Sequence, residues 1–344
     1  MAHAVAVIAG DGIGPEVTAE AVRVLAALGD CELEHLPWSA AHYLQTGVTI
    51  PPDGYETLRT FDAILLGALG DPRVPDNRHA RDILLGMRVA LDLYVNYRPV
   101  RLLDERLCPL KGRTTTDVNF VVFRENTEGV YVGVGGRFKA GTIDEVAVQE
   151  EINTYKGVNR IIRYAFEFAQ GRGLRRLCMA DKSNAMPDGH ALWQRVFAEV
   201  KAEYAGIEAT HLYIDALAMW LVQDPTRFDV IVTNNLFGDI VTDIGAALQG
   251  GLGMAASANL HPGRTSMFEP VHGSAPPMAG KNEANPIGAI LSAALLLDSL
   301  GRANDARRVE RAVEEAVRAD EVTRDVGGRL GTRETGDAIL RRMR

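Results

Sequence analysis

Short apolar runs that alternate with longer stretches of helical period constrain this chain most. "FDAILLGAL" (61–69) and "RFDVIVTNNLF" (227–237) are runs of the length and composition of buried strands. "GVNRIIRYAFEFAQ" (157–170) and "ALWQRVFAEVKAEY" (191–204) repeat their apolar residues at helical spacing. Strands alternating with helices predict an α/β architecture with a largely parallel sheet. "GVYVGVGGRF" (129–138) breaks the pattern with glycines and strict alternation, and predicts a β-ribbon inserted into it. "IGAILSAALLL" (287–297) stops at Asp298 and is too short to span a bilayer, so it predicts a buried helix. "RANDARRVERAVEEAVRAD" (302–320) places Val309, Val313 and Val317 on one face of a charged helix.

A length of 344 residues suits two domains or one large α/β unit. The net charge of −8 leaves no basic excess for nucleic-acid phosphates. Cys31, Cys108 and Cys178 are far apart and form no CxxC, which fits a reducing, cytoplasmic setting. No signal peptide and no membrane partner is expected.

"HAVAVIAGDGIGPEVTAEAVRVLAAL" (3–28) reads as strand, glycine-rich turn and helix, with Pro15 in the first helical turn. A G-x-G-x-x-G phosphate loop needs glycine where Pro15 stands, so the turn is not that fingerprint.

Arg88, Arg98 and Arg124 lie in or beside apolar segments. A guanidinium binds a carboxylate bidentately, so together they suit a di- or triacid; singly, each also reads as an ordinary ion-pair arginine. Asp239 and Asp243 sit four apart near the start of a helix after the 228–235 run, and Asp215 lies in apolar "YIDALAMW". Like charges at that spacing repel by a few tenths of a kcal/mol, and a dication between them would relieve it. The other reading makes each a helix-start acid. Lys182, after an apolar strand, is a candidate base, and Tyr131 a candidate acid.

Seven motifs then stand in order: "GDGIGPE", "R-x9-RP", "RENTEG-x-Y", "DK-x-N", "DA-x-AM", "N-x-FGDI-x-x-D" and "FEPVHGSAP…AGK…ANP". From Val5 to about Ile339 the chain resembles the β-decarboxylating dehydrogenases, the isocitrate/isopropylmalate dehydrogenase family. That resemblance implies a two-domain α/β fold with a mixed, largely parallel sheet and an inserted β-arm, not a Rossmann fold. It implies a cofactor-binding domain of 1–99 plus 255–344. Residues 100–254 would form the substrate, metal and dimerisation domain, with the arm near 129–150.

The resemblance also implies roles. Arg88, Arg98 and Arg124 match the arginines that hold the malate carboxylates. Asp215, Asp239 and Asp243 match the ligands of Mg²⁺ or Mn²⁺, and Asp215 and Asp239 border the substrate. Lys182 matches the base and Tyr131 the acid. Ile13, His272, Gly273, Ser274, Ala275 and Asn285 match the nicotinamide-cofactor contacts. NAD is implied over NADP, because Pro277 and Met278 offer no cation for a 2′-phosphate. Leu84 and Leu85, just before Arg88, would face the substrate's substituent and favour the isopropyl group of 3-isopropylmalate. Homoisocitrate, isocitrate, malate and tartrate are the alternatives. A homodimer is implied, with Lys182 and Asp215 reaching the partner's site.

Overall fold

The computed structural model describes residues 2–344. Its strands are β1 (His3–Gly10), β2 (Cys31–His35), β3 (Ala63–Ala68), β4 (Val95–Arg101), β5 (Asn119–Glu125) and β6 (Gly135–Phe138). They continue with β7 (Val146–Gln149), β8 (Arg176–Asp181), β9 (Glu208–Tyr213), β10 (Val230–Thr233), β11 (Ala256–Leu260) and β12 (Ser266–Pro270). Helices fill most of the intervals, as the alternating pattern predicts.

The chain divides into two compact units. Of the described residues, the first holds 2–93, 97–119 and 245–344, and the second 94–96 and 120–244. Segments 100–119 and 245–254 thus pack with the first unit, beyond the boundaries at 99 and 255 drawn from sequence. In that unit the strand order is β2-β1-β3-β12-β11-β4. β1 pairs in parallel with β2 and β3, and β3 with β12, whereas β11 and β12 run antiparallel. The sheet is therefore mixed but mostly parallel.

Alternation along its strands feeds two cores, because successive side chains point to opposite faces. Val5, Ala63 and Leu65 join one face, covered by the helices Gly14–Leu28, Ile287–Ser299 and Ala303–Arg318. Ala6, Ile8, Ile64 and Leu66 join the other with Trp38, Leu58, Ile83 and Met87. Val309, Val313 and Val317 are buried as their spacing predicts. Pro15 does sit in the first turn of its helix.

In the second unit the order is β5-β10-β8-β9, all pairs parallel. The helix Tyr155–Gly171 is capped by Thr154, whose hydroxyl accepts from Gly157 N–H at 3.0 Å, and it buries Val158, Ile161, Ile162 and Phe166. β6 and β7 form a separate antiparallel ribbon, Gly135 opposite Gln149, with every residue exposed. This is the inserted arm read from the glycine-rich alternation. Among the described residues, no helix is long and apolar enough to cross a membrane.

Candidate active site

In the second unit, β5 ends by delivering Arg124, which is almost fully buried. Its Nε donates to Asn235 Oδ1 at 2.9 Å, and its Nη1 pairs with the Asp239 carboxylate. Tyr131 Oη donates to the other Asp239 oxygen at 2.9 Å, and the guanidinium lies over the Tyr131 ring, 5.3 Å from its centroid. Asp239 and Asp243 are the fifth and ninth residues of the helix Asn235–Leu248, beyond its first turn. The orphan N–H groups and the helix dipole act mainly within that first turn, so they explain these acids poorly. Asp239 meets Arg124 and Tyr131, and with Asp243 it puts two carboxylates on one helix face, hard oxygen donors of the type that Mg²⁺ and Mn²⁺ take.

Lys182 follows β8 and forms an ion pair with Asp215. Asp215 opens the helix Ile214–Gln223. The hydrogen bond from Lys182 holds the Asp215 carboxyl below the usual carboxylate range. Among the described residues, no three acidic, histidine or cysteine side chains gather into one metal site within the chain.

In the first unit, Arg88 lies buried in the helix Gly86–Ala90, and its Nη2 donates to Glu269 Oε1 at 3.2 Å. Its Nε is buried without an acceptor, a costly state that a bound carboxylate would relieve. Arg98 is buried on β4. Leu84 and Leu85, both part-buried, end a π-helical turn, Arg81–Leu85, that the sequence did not signal. Asp82 anchors that turn. Its carbonyl accepts from Tyr55 Oη and its carboxylate from Thr49 Oγ1, each at 2.7 Å. A Cβ at Gly86 would lie 2.0 Å from Tyr55 Oη, so only glycine fits beneath the tyrosine.

The glycine-rich turn is fastened to other parts of the protein. Ile13 N–H donates to Ser274 O at 2.8 Å, and a Cβ at Gly12 (φ +59°) would sit 1.9 Å from that oxygen. The Asp11 carboxylate accepts from Ala40 N at 2.7 Å and Gly70 N at 2.9 Å. It also meets buried His79 Nε2 at 2.8 Å. In the loop after β12, Gly273 is exposed, and Ala275 takes a left-handed backbone (φ +37°). Burial holds the His272 imidazole below its ordinary value, and its Nε2 has no hydrogen-bond partner, so a polar atom is left for a ligand. Asn285 is buried: its amide donates to Asp325 Oδ2 at 3.0 Å and its oxygen accepts from Ile287 N–H at 3.0 Å.

The structure therefore joins Arg124, Tyr131 and Asp239, pairs Lys182 with Asp215, and joins Ile13 to Ser274. Sequence reading missed Glu269 as the partner of Arg88 and the Asp11–His79 pair. The motifs "FEPVHGSAP" and "GDGIG" contain Glu269 and Asp11, but nothing marks His79.

A family profile described as isocitrate/isopropylmalate dehydrogenase matches residues 4–339. A 3-isopropylmalate dehydrogenase of Rhodococcus erythropolis is 49% identical over 338 residues, 97% of this chain and 98% of that protein. One of Thermobifida fusca is 45% identical over 345 residues, 98% of this chain and 97% of that protein. Among solved structures, isocitrate dehydrogenase from Methylococcus capsulatus superposes with a TM-score of 0.90 at 36% identity, with 99% of each chain covered. The TT0538 protein of Thermus thermophilus gives a TM-score of 0.89 at 36% identity, covering 99% of this chain and 68% of that one.

Proposed function

The chain belongs to the isocitrate/isopropylmalate dehydrogenase family, and on that premise we propose that it converts (2R,3S)-3-isopropylmalate to 4-methyl-2-oxopentanoate and CO₂ with reduction of NAD, in leucine biosynthesis. The observation that carries this reading is the near-full-length likeness to relatives bearing that activity in their names. Leu84 and Leu85 support it, since covering an isopropyl group is worth on the order of 2 kcal/mol.

Arg88, Arg98 and Arg124 hold the two carboxylates and fix the orientation of the diacid. Lys182 accepts the C2 hydroxyl proton. Tyr131 returns a proton to the carbon that has lost CO₂. Asp215, Asp239 and Asp243 would hold Mg²⁺ or Mn²⁺, and Ile13 with His272, Gly273, Ser274, Ala275 and Asn285 would hold NAD. When bound, NAD would supply the hydride acceptor for C2, and the dication would supply positive charge beside the diacid's oxygens. In this reading the first unit is the cofactor domain and the second the substrate, metal and dimerisation domain.

The active form is a cytoplasmic homodimer in which Lys182 and Asp215 serve the partner's site. Two features support this. The chain gathers only part of its acid set by itself. The β6–β7 ribbon exposes Phe138, Val146 and Val148, and a two-stranded ribbon is marginal unless packed on something.

The test compares kcat/KM for 3-isopropylmalate, isocitrate, homoisocitrate, malate and tartrate with Mg²⁺ and NAD. Preference for 3-isopropylmalate is expected; preference for a polar substituent would overturn the assignment.

A further inference from the structure

The turn that bears Lys182 is held by a polar chain that runs through the buried His190. The Lys182 carbonyl accepts the N–H groups of Ala185 and Met186 at 2.9 Å. Its own N–H donates to His190 Nδ1 at 2.7 Å. His190 is the fourth residue of the helix Pro187–Lys201 and is wholly buried. Because Nδ1 accepts, the ring proton sits on Nε2. That nitrogen faces the Glu151 carboxylate, 3.2 Å from Oε2.

Glu151 has a second attachment. Its Oε1 accepts from Asn234 Nδ2 at 2.7 Å. Asn234 Oδ1 accepts the Phe237 N–H at 2.9 Å, at the start of the helix that carries Asp239 and Asp243. The His190 ring also meets the Phe237 ring edge-on, with centroids 5.6 Å apart. Burial would raise the Glu151 carboxyl, yet the hydrogen bonds from His190 and Asn234 outweigh it and hold the group below its ordinary range. A part-buried carboxylate tied at both oxygens in this way is held in place, and its loss leaves several polar groups without partners.

We propose that Glu151 and His190 are positioning residues: His190 fixes the main chain of Lys182, and Glu151 ties that turn, through Asn234, to the helix bearing Asp239 and Asp243. This rests on Lys182 being the base. The chain ends on the Lys182 N–H and not on its ammonium, so it sets place and carries no proton. A displacement of about 1 Å at a reacting group can cost on the order of 10²-fold in rate.

Three substitutions separate the two ends of His190. His190→Asn sets an amide oxygen near the Nδ1 position and keeps the bond to Lys182, but falls short of Glu151. His190→Gln reaches Glu151 but leaves the Lys182 N–H without its acceptor. His190→Leu loses both. In the full-length protein, kcat should fall about 10- to 100-fold in the Gln and Leu variants, the usual effect of losing such a supporting contact. KM for diacid and NAD should be unchanged, and His190→Asn, which gives up only the Glu151 link, should lose less rate than either of the other two. Equal kcat losses in all three, or a KM rise in place of the kcat loss, would overturn the proposal.

A second readout needs no substrate. NMR of the histidine ring nitrogens should show His190 protonated at Nε2 and unprotonated at Nδ1, and Glu151→Gln should disturb that state. A proton on Nδ1 overturns the positioning role whatever the enzyme turns over. Failure to oxidise 3-isopropylmalate with the expected ring state intact would instead count against the proposed activity.

Discussion

Tyr131 Oη and Asp239 Oδ2 stand 2.9 Å apart, and the same carboxylate pairs with Arg124. A candidate proton donor, a carboxylate-binding arginine and a candidate metal ligand therefore share two oxygens. Replacing Tyr131 by Phe keeps the ring beneath the Arg124 guanidinium and removes only the hydroxyl. Turnover should fall by about 10²–10⁴-fold, the range for loss of a general acid. Steady-state NADH formation measures it, and a loss of only about twofold would remove Tyr131 from that role.

The proposed sharing of sites between subunits has a mixing test. Lys182→Ala and Arg88→Ala proteins should each be inactive. Unfolded together and refolded, they should regain about a quarter of the wild-type rate, since half the dimers are mixed and each holds one intact site. Mixed dimers that form, as shown by mass, yet stay inactive would refute the sharing.

The fit of Gly86 under Tyr55 predicts a stability effect beside Leu84 and Leu85. Gly86→Ala should destabilise the protein by about 1–3 kcal/mol, as overpacking does. Tyr55→Phe in the same chain should recover part of the loss, because the hydroxyl is the atom struck. Thermal melts of the single and double variants check this; no recovery would mean that the backbone of the π turn, not the hydroxyl, resists the added methyl.

The cysteines should differ in reactivity. Cys178 lies buried on β8, and burial pushes its thiol up to about 12. Little thiolate exists there near neutral pH, and reagents lack access. Native protein should therefore show Cys178 unmodified under an alkylating reagent, by peptide mass analysis, until denaturant is added. Cys31 and Cys108, both part-buried, are the only other thiols in the chain.

Much of this architecture was legible because period and composition are local signals. The buried run at 61–69 became β3, and the helical period at 157–170 became Tyr155–Gly171. Other features were hidden for a physical reason. Asp11 meets His79 across 68 positions and His190 meets Glu151 across 39, and no periodic pattern records such pairings. The π turn at Arg81–Leu85 depends on Tyr55 and Thr49, which lie outside any local window. Asp239 read as a helix-start acid or a ligand; it lies beyond the first turn and pairs with Arg124, a partner 115 positions away that no local pattern records.

The grip of Ile13 on Ser274 is amide to carbonyl, with Gly12 pressed against the same oxygen. No side chain takes part in that hydrogen bond. Pro277 and Met278 can therefore change while that bond stays in place. Gly12 has no such freedom, since any side chain there would prise the two segments apart.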